Sequence, residues 1–254
     1  MKLLGTENAK TSKGFALGWL TGILYLAPGT LAGVGNVCRF ASELCLAACL
    51  YSAGRGAFSS VQIARIRKTR MLFERPAEFY ETLASDIRAL VKRAKSLGVT
   101  PCVRLNGTSD LPRLSAKMSN EIPQCQLYDY TKVPRPWERS RANYHITFSL
   151  SESNETEAGD ALRHGVNVAV VFSTKRGHDL PRWYTIDGLV RPVIDGDVTD
   201  LRFLDPTVPA GLNPAALGYI IGLRAKGKAR GQSNGFIRYG IEPSTAEHDA
   251  KVNS

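Results

Sequence analysis

The chain has 254 residues, and 43% of them are hydrophobic, which is enough to build the core of one large domain or two small ones. Lys and Arg outnumber Asp and Glu by 33 to 23, so the formal net charge is +10, and a polyanionic partner such as a nucleotide, DNA or RNA is favoured. The five cysteines are odd in number, which argues against a fully paired disulfide framework and predicts a reducing, cytoplasmic environment.

The amino-terminal part begins with a polar segment and continues with a long uncharged one. Residues 1–13 are predicted to form a polar arm, and residues 14–242 a single domain. Residues 14–38 carry no charge, but glycines and Pro28 interrupt them, so we expect no membrane-spanning helix. Residues 17–26 are apolar and aromatic and are predicted to form a buried strand. At the other end, the polar tail of residues 243–254 is predicted to be disordered.

Three of the five cysteines, Cys38, Cys45 and Cys49, lie within twelve residues. Cys45 and Cys49 are four residues apart, so they would share one face of a helix, and Cys38 lies one loop earlier. Three thiolates that converge on one point suit a soft metal or an iron–sulfur cluster. Three other interpretations stay open: the thiols pack as small apolar groups, two of them form a disulfide, or they bind a structural zinc, for which no nearby histidine supplies a fourth ligand.

Two helices are predicted after the cysteines. Residues 76–97 carry apolar side chains at helical spacing and should face the core. Residues 59–73 form the other helix, which is rich in basic residues. These side chains form either a solvated face or a surface that binds nucleic acid. The basic residues are Arg65, Arg67, Lys68 and Arg70.

In the rest of the chain, short strands alternate with short helices, which predicts parallel βα units. Polar residues follow the ends of the predicted strands at residues 106–110, 129–132, 149–152 and 173–175. In a (β/α) barrel, the loops that follow the strands form the face where sites are built, and the same pattern occurs in an open α/β sheet.

The last part of the predicted domain contains a β insertion and a final strand. The insertion covers residues 181–197, with a turn at Asp187 and Gly188. Residues 217–223 are apolar and are predicted as the last strand. A basic segment, residues 224–230, follows them.

A first strand, then a loop and helix with three cysteines, then βα units, resembles the architecture of radical S-adenosylmethionine enzymes. That resemblance implies a full or partial (β/α) barrel, a [4Fe-4S] cluster on Cys38, Cys45 and Cys49, and S-adenosylmethionine on the open iron. The spacing of the cysteines, C-x6-C-x3-C, departs from the usual C-x3-C-x2-C of that family. No clear Gly-Gly-Glu element follows the second strand.

Longer stretches of the chain are similar to a family of phage proteins called gene product 88. The resemblance extends from about Asn8 to Gly227, and it implies a phage or prophage origin, hence a host cytoplasm, and no settled activity. It is carried by NAKT, GWLTGILYLAP, CRFASELCLAACLYSAGRGAFSSVQIARIRKTR, RLNGTSD, YDYTK, NYHITFSLSE, NVAVVF and PVIDGDVTDLRFLDP.

Our first functional hypothesis is a cluster-dependent enzyme of the radical type that acts on a nucleotide or a nucleic-acid base. Asp129 or Glu152 would hydrogen-bond a ribose, and Arg55 and Lys132 would bind a phosphate or carboxylate. The predicted catalytic residues are Asp129, Lys132 and Glu152. The predicted cofactor-binding residues are Arg55, Asn106, Ser109, Asp110, Ser149 and Lys175. If all these residues lie on the carboxyl face of a barrel, the three sulfurs should converge at one edge of a pocket, about 6 to 7 Å apart.

Two other functions remain possible from the sequence. A nucleic-acid-binding protein with a structural metal would contact phosphates through residues 59–73 and 224–230. A metal-dependent hydrolase would hold magnesium on Asp195, Asp197 and Asp200, since carboxylates are its preferred protein ligands. The oligomeric state is not predicted.

Overall fold

The computed structural model describes residues 1–7, 9–207 and 217–240. The predicted disordered tail and Asn8 lie outside the described residues. The strands are β1 (Leu4–Gly5), β2 (Trp19–Leu24), β3 (Thr100–Arg104), β4 (Gln126–Thr131), β5 (Tyr144–Ser149), β6 (Val168–Phe172), β7 (Trp183–Ile186), β8 (Leu189–Asp195), β9 (Ile220–Arg224) and β10 (Ile237–Arg238). The helices are α1 (Ala9–Ala16), α2 (Glu43–Ala47), α3 (Ser59–Glu74), α4 (Pro76–Ser96), α5 (Pro112–Glu121) and α6 (Glu155–Arg163).

These strands form one mostly parallel sheet in the order β1-β2-β3-β4-β5-β6-β9-β8-β7, and β10 pairs with β6. The α/β class predicted from the sequence is therefore confirmed. The sheet does not close into a barrel, because β1 and β7 lie at its two ends. Within the described residues, each of these strands pairs with one neighbour only, and both pairs are antiparallel. The prediction of a full barrel is wrong, since these two antiparallel strands occupy the edges that closure would have to join.

Strands β2 to β6 pair in the order in which they occur in the chain, and all four pairs are parallel. Each connection must return to the start of the next strand, and right-handed crossovers place the connecting helices on one side of a sheet. We call that side the helix face. Its core is built by the apolar stripe of α4, including Phe79, Leu83 and Ile87, packed with Val103 and Leu127 from the sheet.

The other side of the sheet, which we call the inner face, is covered differently. Strand alternation places Cys102 and Tyr128 on this side, where they pack with Leu201. Phe203 stacks edge-on against Tyr128, with ring centroids 5.4 Å apart. Residues 200–203, between β8 and β9, therefore cover part of the inner face.

The hairpin predicted near the end of the chain is present as β7 and β8. Asp187 and Gly188 join the two strands with φ angles of 49° and 73°. Positive φ at both central residues is the type I′ geometry that matches the twist of a two-residue hairpin.

The segment predicted as a polar arm contains ordered elements. Residues Leu4 and Gly5 pair with β2, and Leu3 is completely buried. The amide groups of Leu3 and Leu4 both donate to the carboxylate of Asp86 in α4. In the described ranges, no helix is both long enough and apolar enough to cross a membrane.

Candidate functional site at the carboxyl end of the sheet

The residues between β2 and α3 that carry the three cysteines, residues 37–57, lie across the carboxyl ends of the parallel strands. We call them the cysteine segment. The amide of Asp110, in the loop after β3, donates to the carbonyl of Val37 at 2.7 Å. The carboxylate of Glu152, in the loop after β5, accepts from Ser42 Oγ at 2.7 Å and from the amide of Leu44 at 3.3 Å. Because β3 and β5 are parallel, these contacts fix the segment over one edge of the sheet.

Within this segment the helix is shorter than predicted. Helix α2 ends at Ala47, and Cys49 instead begins a 3₁₀ turn formed by Leu50–Ser52. The prediction that Cys45 and Cys49 share one helical face is therefore wrong. Ser42 caps α2 by accepting from the amide of Cys45 while its hydroxyl donates to Glu152, so a long-range contact as well as local propensity decides where this helix begins.

The three thiols of the segment influence one another electrostatically. The charge of either Cys45 or Cys49 would raise the pKa of Cys38, and Cys45 acts in the same way on Cys49. Burial is the main cause of the shift at both sites, and it raises the pKa of Cys38 to about 11. The Cys38 thiol donates to the carbonyl of Thr108 at 3.8 Å. Cys102 is distinct from this group, since it is buried on the inner face against Thr21.

In the described parts of the chain, no group of three or more His, Cys, Asp or Glu side chains is arranged to hold a metal ion. A mononuclear zinc site needs every sulfur about 2.3 Å from one ion, so such a site is not preformed here. The sulfurs around a [4Fe-4S] cluster stand farther apart, at about 6 to 7 Å. The three thiols match the protein ligands of such a cluster in type and number only, because the described chain does not hold them in a metal-binding arrangement.

Asp129 was predicted to be catalytic, and its carboxylate points to the helix face of the sheet. It is 1% exposed and accepts hydrogen bonds from the amide and the side chain of Asn106, at 2.8 and 2.9 Å. Ser115 Oγ and Tyr144 Oη also donate to it. Burial raises the pKa of Asp129 to about 6, although these donors act to lower it. Its four donors make Asp129 a structural residue that holds the loop after β3.

Asn106 and Ser109, both predicted to bind a cofactor, belong to the same structural network. The side-chain oxygen of Asn106 accepts from Ser109 Oγ and from the amide of Leu111, each at 2.9 Å. With Asn106 also donating to Asp129, the polar groups of this loop bond to one another. In the sequence, these polar residues after a strand resembled a binding site. In the structure, their hydrogen bonds fix the conformation of the loop between β3 and α5.

Asp110, Lys132 and Ser149 lie next to the cysteine segment. The Asp110 carboxylate accepts from Thr131 Oγ1 at 2.6 Å and from the amide of Lys132 at 2.7 Å. Burial raises the pKa of Asp110, and Thr131 and Lys132 act to lower it. Lys132 Nζ donates to Ser149 Oγ at 2.9 Å. Asp110 therefore orients the end of β4, and the ammonium group of Lys132 is the charged group presented there.

The remaining predicted cofactor-binding residues, Lys175 and Arg55, are exposed. Arg55 lines an open surface groove together with Thr6 and Arg93. Glu152, predicted to be catalytic, is engaged by Ser42 and Leu44 and so positions the cysteine segment. A cofactor-binding role for Lys175 and Arg55 stays a prediction.

The four basic residues of α3 do not form one surface. Arg67 and Arg70 are exposed, Arg65 is only 7% exposed, and Lys68 is half-buried and donates to the carbonyl of Leu3 at 2.6 Å. Arg70 Nε donates to the carbonyl of Ala32. The predicted nucleic-acid-binding face is thus divided, because the helix packs through part of its basic side chains.

Arg65 lies under the cysteine segment between two aromatic rings. Its guanidinium carbon is 4.9 Å from the ring centroid of Tyr25 and 5.3 Å from that of Tyr51. The sequence placed Arg65 on a helix face that is either solvated or binds nucleic acid, and it gave no role to either tyrosine. Tyr25 follows the last residue of β2, and that position at a strand end was the available signal.

The three acidic residues of the hydrolase hypothesis are separated and paired with cations. Asp195 and Asp197 both bind Arg224 Nη1, at 2.8 and 3.2 Å. Asp200 is buried on the inner face, where it binds Arg104 and Tyr128. Since their oxygens neutralise arginines in two places, these residues do not form the predicted magnesium site. The basic segment after β9 is likewise partly engaged in these ion pairs.

Comparison with known proteins finds a match to a family model. A family model described as Gene product 88 matches residues 2–239, which is most of the chain. No curated protein and no solved structure matches it.

Proposed function

The chain belongs to the Gene product 88 family of phage proteins, and we propose that it is an iron–sulfur enzyme of the radical type with its site at the carboxyl end of the sheet. Cys38, Cys45 and Cys49 are the proposed ligands of a [4Fe-4S] cluster. The observation that carries this proposal is the position of three thiols on one segment that lies over the carboxyl ends of consecutive parallel strands.

The order of the strands supports the same proposal. Five parallel strands that pair in chain order are what an open, partial (β/α) barrel contains, and loops at its carboxyl face carry the site. The cysteine segment follows the first of these five strands. A partial barrel of the radical S-adenosylmethionine kind remains our interpretation of this arrangement.

Each residue near the proposed cluster would have its own role. The three cysteines would hold the cluster and leave one iron for a ligand such as S-adenosylmethionine. Glu152 holds the start of α2 through Ser42 and so fixes the direction in which Cys45 points. Arg65 and Lys132 both act to lower the pKa of Cys49, so they favour the thiolate that a metal requires. When bound, such a cluster supplies one-electron transfer to the ligand on its open iron.

The net charge of +10 supports an anionic substrate, and a nucleotide or nucleic acid is our proposal for its class. The setting we propose is the cytoplasm of the phage's host, where thiols stay reduced.

Anaerobic purification with iron and sulfide counted tests the proposal. We expect a brown protein with about four irons per chain and charge-transfer absorbance in the visible range. Cys45→Ala should abolish that absorbance. Cys102→Ala and Cys125→Ala remove thiols that are buried in the cores of the fold and should leave it unchanged. Zinc in place of iron after anaerobic preparation, or absorbance that survives Cys45→Ala, would contradict the proposal.

A further inference from the structure

The surface groove that Arg55 lines has a volume of about 710 Å³ and is built by three separate parts of the chain. One wall comes from the residues after β1 and from α1, which include Thr6 and Phe15. Arg55 comes from the 3₁₀ turn before α3, and Arg93 from the last part of α4. The three cysteines of the cysteine segment are not among its described lining residues. The groove is therefore a second place where the fold gathers side chains that could bind a ligand.

Part of the groove is apolar, and two of its large side chains face solvent. Phe15 is 47% exposed and Leu97, directly after α4, is 48% exposed. Both line the groove together with Leu20 of β2, which is buried. An exposed aromatic ring offers a surface on which a flat ligand can stack, and every nucleobase has a π-face that can do so.

The same groove carries two guanidinium groups. Arg55 and Arg93 are exposed, and within the described chain neither side chain forms a hydrogen bond or an ion pair. Glu7 is the acidic residue among the described lining, so two positive charges face one negative charge. A guanidinium presents a planar set of donors that matches the oxygens of a phosphate. The groove therefore has an excess of positive charge beside an apolar surface.

We propose that this groove binds a nucleotide, with the base stacked on Phe15 and the phosphate held by Arg55 and Arg93. A nucleotide is the ligand class that combines a flat aromatic ring with a phosphate, and the hydroxyl of Thr6 and the carboxylate of Glu7 supply polar partners for its sugar. The site goes beyond the proposed function, because it lies outside the three cysteines and does not depend on a cluster.

Isothermal titration calorimetry on the full chain tests this proposal with four probes at one ionic strength: adenosine monophosphate (AMP), adenosine, inorganic phosphate and octanoate. We expect AMP to bind saturably and at least about tenfold more tightly than each of the others. Adenosine lacks the charged group, inorganic phosphate lacks the ring, and octanoate offers an anion and an apolar chain that cannot stack. The comparison thus separates a nucleotide site from a phosphate site and from a site for an aliphatic acid.

Three variants assign the two parts of the ligand to their residues. Arg55→Gln and Arg93→Gln should each raise the dissociation constant of AMP about tenfold, the factor that one charge-assisted hydrogen bond provides, and leave that of adenosine unchanged. Phe15→Leu should weaken AMP and adenosine by a similar factor and leave inorganic phosphate unchanged. All three side chains are exposed, so the variants should fold.

Arg67→Gln is the matched control, because it removes the same charge from an exposed arginine that is not among the described lining residues. It should keep the dissociation constant of the natural chain for AMP. The groove is overturned as a nucleotide site if inorganic phosphate or octanoate binds as tightly as AMP, or if both arginine variants of the groove bind AMP as Arg67→Gln does. A chain without iron that binds AMP as expected would contradict the cluster alone, and a chain with iron that does not bind AMP would contradict the groove alone.

Discussion

Asp129 and Arg65 are two charged side chains that the fold buries in opposite ways. Asp129 lies on the helix face with hydrogen bonds from Asn106, Ser115 and Tyr144. Arg65 lies beneath the cysteine segment with one carbonyl and two aromatic rings around it. The sequence suggested catalysis for the first and a solvated or nucleic-acid-binding surface for the second. In the structure the first is hydrogen-bonded by several groups of the chain and the second is buried.

The two residues differ in whether the surrounding chain supplies hydrogen bonds or an opposite charge to the buried group. We use this difference to distinguish a buried charge that stabilises the fold from one that could serve another purpose. Buried polar groups in folded proteins are almost always hydrogen-bonded, and each exception requires a reason. Asp129 has its full set of partners within the chain and needs nothing else. Arg65 lacks a counter-charge within the described chain, and a ligand or a metal-bound thiolate would provide one.

Arg104 gives the strongest test of this comparison, because it is a buried arginine that does have a counter-charge. Its Nη1 lies 3.2 and 3.1 Å from the two carboxylate oxygens of Asp200, and both side chains are less than a tenth exposed. Arg104→Gln removes the cation that neutralises the buried carboxylate of Asp200, so we expect the free energy of unfolding in urea to fall by about 3 to 5 kcal/mol. A loss below about 1 kcal/mol would show that burial with a partner does not make a charge structural here.

Asp129→Asn should have the next largest effect. The amide cannot accept from all the donors that surround the carboxylate, and at least one buried donor is left without an acceptor. We expect a loss of about 1 to 3 kcal/mol in the free energy of unfolding, measured in urea at pH 7. Unchanged stability would mean that this network is dispensable and would reopen a functional role for Asp129.

The pH dependence of stability provides a second test of Asp129→Asn. The pKa of Asp129 is about 6 in the folded protein, against about 3.9 in an unfolded chain, so the folded state holds this proton more tightly. The carboxyl therefore contributes stability below about pH 4 that is lost as the pH rises to about 6. Two pKa units correspond to about 3 kcal/mol, and this loss between pH 4 and 7 should be absent in Asp129→Asn. Identical pH profiles for the two proteins would contradict the assignment.

Arg65→Met should behave differently from Arg104→Gln, although both remove a buried guanidinium. Methionine keeps an unbranched chain and removes a charge that nothing in the described chain neutralises. We expect the free energy of unfolding to change by less than about 1 kcal/mol, or to rise, because sites kept for ligands commonly cost stability. A loss above about 2 kcal/mol in urea would show that Arg65 is held for the fold.

Arg67→Met should have the smallest effect on the free energy of unfolding, and it serves as the reference for loss of an exposed arginine. Arg67 is exposed on α3, two residues from Arg65, and its side chain forms no hydrogen bond or ion pair within the described residues. Its removal should change the free energy of unfolding by no more than about 0.5 kcal/mol. A larger change in the same urea experiment would mean that charge on this helix, rather than burial, decides the result.

The sequence by itself determined the elements that depend on local pattern. The apolar spacing of α4, the apolar run of β6 and the Asp187–Gly188 turn each specify a structure over a few residues, and all three are present. The alternation of strands and helices likewise determined the α/β class. Periodicity and turn chemistry are local, so they can be recognised without knowing what lies opposite.

The tertiary structure alone decided which polar side chains belong to the site. Asp129 and Lys132 lie three residues apart, so alternation places them on opposite faces of the sheet, but the sequence does not say which face carries the cysteines. Helix α2 ends before Cys49, and Arg65 turns inward between Tyr25 and Tyr51, through contacts with residues from other elements. The physical reason is that burial and the partners of a charge depend on long-range packing, which one residue's neighbours in the chain do not encode.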